Sequence, residues 1–481
     1  MVRADRRLSV LMVCAHEPTM DPRIRWEAEG AAQQYDVTVL GFNREDGSEP
    51  PEEDLGTYRM VRLRRADVPP LRYLLHYKNI FSVPLPVLLL LTAVSVIGFP
   101  ILALGEIIVR LGYLTARAVR VIYRVVRRLK SPRSDAAARW GFDCVAFIAG
   151  NLRMQFAPAT ELFFNYIRAM PVKPDVIHCN DLDTLLVGIL AKQEFGCRVV
   201  YDAHEFWPFA DSLSRWLDTG FFWLLEWWLT KKTDTVVTVN PLLAEAMRAS
   251  YRLPRVHSVP NVEPWVDDRP RLRRSSGMAQ LADGRVAFLF QGRFTKARGV
   301  EEIIRAWPRV DGSKAALFLR GPDNSWKTAA RELAAELGVL GESVYFLDAV
   351  TEDELVSAAA EADVGIVPYL PLALNERLAC PNKLSQYLHA GLMILTNDLP
   401  YVRAVVAESG SGLWYDSDHL DTLSSAVNRI AADRAEMRRC QENAVRFARR
   451  SYNWQLHGGL FLRLYAGETD DHPPTSVQLA A

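Results

Sequence analysis

Short apolar runs alternate with helical stretches in two successive series along this chain, and that pattern leaves few folds open. In the first series LSVLMVC, DVTVLGF, DVIHCN, RVVYDAH and DTVVTVN read as strands. Helical stretches lie between them at IRWEAEGAAQQ, from Leu182 to Phe195 and around Ser212 to Thr230. In the second series VAFLFQG, AALFLRG, SVYFLDA, ADVGIVPY, LMILTND and GLWYD read as strands, most of them separated by helical stretches. Apolar strands that alternate with helices predict parallel sheets covered on both faces. Between Pro260 and Gly284 the composition turns to Pro, Arg, Asp, Ser and Gly, which marks a linker. Two parallel α/β domains of similar size follow, with a ligand cleft expected between them at the carboxyl ends of the strands.

Length and charge fit this reading. The 481 residues suit two to three domains of roughly 100–200 residues each. Lys+Arg and Asp+Glu both count 57, so no global basic excess points to nucleic acid, and none is expected as a partner. Hydrophobic residues at 49% exclude a disordered or collagen-like chain. The cysteines Cys14, Cys144, Cys179, Cys197, Cys380 and Cys440 form no Cys-x-x-Cys pair, a pattern of reducing compartments. The histidines show no zinc-ligand spacing. The opening MVRADRR and the run from Leu8 to Cys14 read as a first strand, not a signal peptide. Neither half carries Gly-x-Gly-x-x-Gly after its first strand, which weighs against a dinucleotide-binding fingerprint.

Residues 70–135 break the pattern. From Ile80 to Gly105 no residue is charged, long enough for a transmembrane helix of about 20 residues. The stretch that follows has apolar residues at helical spacing and arginines at 110, 117, 120, 124, 127 and 128, like a basic amphipathic helix at an anionic membrane surface. Strands of the first domain lie both before residue 65 and after residue 170, so both flanks must sit on one side of any bilayer. The insert therefore re-enters, lies in the interface, or packs on protein as a core helix or oligomer contact. Pro84, Pro86 and Pro100 help break it, and Arg72 and Lys78 keep the preceding flank basic.

Two loops carry the chemistry. In QGRFTKARGVEE a strand ends, Gly292 and Gly299 let the backbone approach a ligand, and a helix begins near Val300. Arg293, Lys296 and Arg298 surround that helix start and suit a departing diphosphate, unless the loop is simply a solvated basic turn. In PNKLSQY the side chains of Asn382 and Gln386 can bond hydroxyls and Lys383 can balance phosphate; the alternative is an ordinary polar first turn. Asn180-Asp181-Leu182-Asp183 reads as a helix start capped by Asn180 or Asp181, not as a metal site. FFWLLEWWLTKK is aromatic at helical spacing and reads as core or membrane-facing packing.

PDVIHCNDLDTLLVG, VVYDAHEFWP, the spaced Gly-Arg and Arg-Gly of QGRFTKARG, and PNKLSQYLHAGLMILTNDLP, in this order, resemble glycosyltransferase family 4. The resemblance covers roughly residues 8–65 and 140–465 and leaves the insert outside. It implies the GT-B fold: two Rossmann-like domains facing across a cleft, here with an apolar helical insert in the first. The domains would be residues 1–262 on the acceptor side and 263–466 for the nucleotide-sugar, with a disordered tail at 467–481. The family transfers sugars with retention from nucleotide-sugar donors and implies neither a metal nor another cofactor.

By position, Arg293 matches the arginine that binds the donor diphosphate, and Arg298 stands where lysine is usual. Lys296 is an extra or substitute cation. Gln386 stands for the second glutamate of a Glu-x7-Glu motif that bonds the ribose, and the first falls on Leu378, which cannot bond a hydroxyl. Glu376, two residues away, is the substitute. His204 matches a histidine near the reacting centre, or is a satisfied strand-end histidine. His16, Asp21 and Arg23 lie in a first turn that faces the acceptor in the family. Catalysis is thus expected of His204, Arg293 and Arg298, with donor binding by Gly292, Lys296, Glu376, Asn382, Lys383 and Gln386. The expected reaction is transfer to a lipid-linked glycan in envelope or exopolysaccharide assembly, at the cytoplasmic face of the inner membrane. The rivals are a non-catalytic scaffold or an epimerase or hydrolase of the same shape.

Overall fold

The computed structural model describes residues 7–44, 46–64, 156–210, 216–267 and 277–468. The insert at 70–135 falls outside these residues, as does the tail beyond 468. Among the described residues no helix is long and apolar enough to cross a membrane.

The first domain is built on β1 (Ser9–Val13), β2 (Asp36–Phe42), β3 (Glu52–Asp54), β4 (Arg59–Leu63), β5 (Val176–Asn180), β6 (Arg198–Ala203), β7 (Thr235–Thr238) and β8 (His257–Ser258). They lie in the order β3-β4-β2-β1-β5-β6-β7-β8. All neighbours are parallel except the short edge pair β3–β4. Val10 of β1 is flanked by Val37 of β2 and Val176 of β5, and the central strands are buried along their length because helices cover both faces. The second domain carries β9 (Val286–Gln291), β10 (Ala315–Arg320), β11 (Val344–Leu347), β12 (Val364–Val367), β13 (Met393–Asn397) and β14 (Gly412–Tyr415), all parallel, ordered β11-β10-β9-β12-β13-β14. Two α/β domains with parallel sheets result, as the alternating pattern leads one to expect.

In both sheets the strand order reverses next to the first strand, between β1 and β5 and between β9 and β12. A crevice opens at the carboxyl ends there. The loops after β1, β5 and β6 face those after β9 and β12 across it. The chain also crosses back: the final helices Trp454–His457 and Gly459–Ala466 pack on the first domain. Tyr35 donates its hydroxyl to the Leu462 carbonyl at 2.8 Å, Arg198 donates to the Tyr465 carbonyl at 2.6 Å, and Trp26 packs on Trp454. The division at residue 262 does not include this return.

Further bonds tie the domains together around the cleft. The Phe206 amide donates to Asn375 Oδ1 at 3.0 Å, Asn240 Nδ2 to the Leu378 carbonyl at 2.6 Å, and Asn261 Nδ2 to the Cys380 carbonyl at 3.1 Å. Leu378, at the position of the missing glutamate, packs its side chain against the core at this junction.

Candidate active site

A cavity of about 670 Å³ lies between the domains. Its second-domain wall is cationic. β9 ends at Gln291, and Gly292 and Arg293 follow on the rim. A short turn at Lys296–Arg298 then leads into the helix Val300–Ala306. Gly299 joins the two at φ +62°, and a Cβ there would lie 2.0 Å from the Pro368 carbonyl oxygen, so only glycine fits. This close approach presses the loop against Tyr369, and the Arg298 guanidinium lies 4.0 Å above the Tyr369 ring.

Lys383 comes from the first turn of the helix Asn382–Ala390. It is 6% exposed, and its Nζ lies 3.9 Å above the Phe290 ring and 5.0 Å from that of Tyr369. Nζ has no hydrogen-bond partner among the described residues. At Gly292, φ +141°, a Cβ would sit 3.4 Å from this amine, so the missing side chain leaves it room. Burial and the nearby Arg298 push the Lys383 ammonium well below the usual lysine range. None of Arg293, Arg298 and Lys383 is ion-paired with a carboxylate among the described residues, and these three basic side chains converge on one space. Asn382, Gln386 and the buried Glu376 line the same cavity. Lys296 does not: it is exposed on the outer side of its turn, because the turn directs Ala297 inward and Lys296 to solvent.

The first-domain wall is a hydrogen-bonded acid–histidine cluster. His204 follows β6. Its Nδ1 lies 3.1 Å from Asp21 Oδ2 and 3.7 Å from Asp181 Oδ2, and its Nε2 lies 3.1 Å from Asp202 Oδ2. Burial opposes charge on the ring, but Asp181, Asp202 and Asp21 outweigh it and raise the His204 pKa well above the ordinary value. Burial would likewise raise Asp202, yet Arg23 and His204 hold it well below its usual range. Asp21 is lowered against burial by His204, whereas burial wins at Asp181 and raises it. An imidazolium with a carboxylate at each nitrogen has no lone pair to accept a proton. The carboxylates at both ring nitrogens favour the charged form of His204 on this wall.

Two residues expected on the acceptor side lie elsewhere. Arg23 is 1% exposed and does not face the cleft. Pro22 and the Asp21 cap start the helix Pro22–Ala32 so that the Arg23 side chain turns inward. There Nε and Nη2 donate to the two Asp202 oxygens at 2.7 and 3.0 Å, and Nη1 donates to the Val259 carbonyl. Glu27 lies 2.9 Å away and shares this guanidinium. Glu27, His178 and Asp202 cluster closely enough to hold a cation, and Arg23 is the cation in place there. His16 is held by its own loop: its Nδ1 lies 2.9 Å from the Glu17 carbonyl oxygen, and it is not among the cavity residues.

Asp181 is the functional-site residue that sequence reasoning missed. It precedes the helix Leu182–Phe195 as a cap position, but its side chain makes no cap bond. It is turned outward at φ +62° and accepts the His204 amide proton at 3.0 Å. A positive φ at a non-glycine residue beside a cleft is a mark of a functional position, and nothing in NDLD by itself reveals it. Tyr369 and Asn375 also line the cavity without having been singled out.

Two doubly wound domains with a cationic wall and an acid–histidine wall define a protein that works on a ligand held between them. Comparison with known proteins identifies the kind. Residues 110–262 match the family described as Glycosyltransferase Family 4, and residues 285–433 match Glycosyl transferases group 1. The first match begins at residue 110, inside the basic stretch of the insert, which the motif resemblance leaves outside. The chain belongs to the GT-B glycosyltransferases of the family 4 type. An uncharacterized glycosyltransferase of Methanocaldococcus jannaschii is 26% identical over 299 residues, 59% of this chain and 72% of that protein. Among solved structures, the sucrose-phosphate synthase of Thermosynechococcus elongatus superposes with a TM-score of 0.63 at 16% identity, covering 96% of this chain and 99% of that one. The Anabaena protein HepE, in complex with UDP and glucose, gives 0.61 at 10% identity, covering 96% and 100%.

Proposed function

We propose that this glycosyltransferase moves a sugar, with retention, from a nucleoside-diphosphate sugar to a lipid-linked glycan at the cytoplasmic face of the membrane, in envelope or exopolysaccharide assembly. The observation that carries the donor reading is the convergence of Arg293, Arg298 and Lys383, none of them ion-paired among the described residues. Cations so arranged suit a diphosphate, whose negative charge grows as the glycosidic bond breaks. HepE, of the same fold, holds UDP and glucose. Gln386 and Glu376 are the polar groups available for the ribose and sugar hydroxyls.

Retention by front-face displacement accounts for the other wall. The departing diphosphate takes the acceptor proton itself, so no general base is required, and both nitrogens of His204 are engaged with carboxylates. Its positive charge and the Asp21 and Asp181 carboxylates would orient acceptor and sugar hydroxyls. The membrane part rests on the charge-free run from Ile80 to Gly105 and the arginine series after it. No metal or other cofactor enters this scheme.

The test is transfer from a panel of UDP-, GDP- and TDP-sugars to polyprenyl-diphosphate-linked sugars in vesicles, with the product anomer read by NMR. A lipid product of the same anomeric configuration as the donor supports the reading. Inversion, or equal transfer to a fully soluble acceptor without lipid, overturns the mechanistic or the lipid part respectively.

A further inference from the structure

We infer that the helix Trp216–Thr230 is a docking face for an anionic bilayer surface, distinct from the insert and made of described residues. Along this helix Phe222, Glu226, Leu229 and Thr230 are buried, whereas Phe221, Leu224, Trp227 and Trp228 are 42%, 57%, 38% and 47% exposed. Positions 220, 221, 224, 227, 228 and 231 share one helical face, about 16 Å long. The face carries no acid, and its one charge is Lys231 at the end.

The opposite face is locked to the core, so the apolar stripe is presented and not frayed. Both Glu226 carboxylate oxygens accept hydroxyl protons, from Tyr201 and Tyr251, each at 2.6 Å. Trp223 donates to Ser250 Oγ at 2.8 Å and lies parallel to Trp227 at a centroid separation of 6.3 Å.

Charge and area select the occupant. Lys232 Nζ lies 3.5 Å above the Trp228 ring, and Lys231 donates to the Arg252 carbonyl at 2.7 Å, which gathers Lys231, Lys232 and Arg252 at one end of the stripe. Among the described residues none of Lys231, Lys232 and Arg252 is ion-paired, and Glu245 and Asp234 are engaged elsewhere, with Arg248 and Lys192, so this end of the stripe presents basic side chains. Tryptophan with a lysine rim is the composition of a helix seated at the headgroup level of an anionic leaflet. The four apolar side chains expose roughly 400 Å², about half of what one partner of a stable protein interface buries. Phe206 beside the cleft touches Tyr251, and Tyr251 touches Trp223, so one aromatic row runs from the cleft to the stripe. A bilayer held there lies close to where a lipid-linked acceptor must enter. The inference deepens the membrane part of the proposed function and rests on it for the acceptor alone.

The experiment places an environment-sensitive fluorophore on Leu224→Cys in the full-length chain, with Cys144→Ser; the other cysteines are buried. Vesicles of phosphatidylcholine, with and without phosphatidylglycerol, are titrated while sedimentation reports whether the chain itself is bound. The expected result is a blue-shifted, brighter probe with phosphatidylglycerol. Lys231→Gln/Lys232→Gln should need about tenfold more lipid for the same change. Trp227→Ser/Trp228→Ser should bind lipid more weakly with unchanged turnover of a soluble acceptor. A probe that stays water-like on sedimented protein overturns the inference while leaving membrane binding through residues 70–135 intact. A probe already in an apolar setting without lipid also overturns it. Concentration dependence would then assign the face to a second copy, and independence to the chain's own remaining residues.

Discussion

Replacing Lys383 by Met should stabilise the free protein and cripple donor binding, two effects of opposite sign from one side chain. The amine is buried, stacked on Phe290 and without a protein hydrogen-bond partner. An unsatisfied buried polar group costs about 1–3 kcal/mol whichever protonation state it takes. Met has similar length and no polar hydrogen, so it fills the site without that cost, and the melting temperature should rise by about 2–4 °C. The donor diphosphate, in contrast, loses a cation at about 4 Å. At an effective dielectric near 20 that interaction is about 4 kcal/mol, and a net loss of about 2–4 kcal/mol raises Kd by roughly 30- to 1,000-fold. Burial and Arg298 depress the amine's pKa in the free protein, and a bound diphosphate opposes that depression. Nucleotide binding should therefore take up a proton, and affinity should fall as pH rises. Thermal unfolding with and without UDP or GDP, and calorimetric titration in buffers of different ionisation enthalpy, read all three effects. A Met variant that melts earlier, binds nucleotide as tightly and shows the same proton uptake would refute the reasoning and make Lys383 a structural residue.

Three further outcomes follow from particular contacts. Gly299→Ala forces a Cβ against the Pro368 carbonyl at a left-handed position; it should cost at least about 2 kcal/mol in denaturant unfolding and displace Arg298. His204 has a raised folded pKa, so its contribution to stability is complete below the unfolded value near 6.5 and is lost as pH rises through the raised one. Wild type should lose stability over that alkaline range in melting experiments, and His204→Gln should lose less of it. Burial raises Glu226 to about 7 against a usual 4.5, so the folded state binds the proton more tightly and stability falls between those pH values. Glu226→Gln should melt with wild type near pH 4.5 and be more stable at pH 8, by up to about 3 kcal/mol.

The strands were legible because parallel strands buried on both faces leave continuous apolar runs such as DVIHCN and VAFLFQG, and their alternation with helices dictates the two-sheet fold. The second-domain wall was legible for a related reason: a glycine-bracketed basic loop at a strand end has one plausible place in such a fold. What the sequence hid depends on side-chain direction. Arg23 and Asp21 are two residues apart, yet the helix start sends one into the core and leaves the other in the cleft. Asp181 reads as a cap, and only its left-handed backbone turns it toward His204. Leu378 looks like a lost sugar contact in the sequence. In the structure it is a packed junction residue whose carbonyl binds Asn240 of the other domain.

The central claim is that the cationic wall binds and releases a nucleoside diphosphate during sugar transfer. It is tested most directly by nucleoside diphosphate release from the donor panel with polyprenyl-linked acceptors, comparing wild type with Arg293→Ala. Arg293 is an exposed rim residue without an ion-pair partner among those described, so its truncation leaves the fold intact. Turnover of one donor, dependent on acceptor lipid and reduced about 100-fold in kcat/KM by the substitution, is the predicted result. Equal turnover by both proteins, or none by wild type with any donor, would contradict the account.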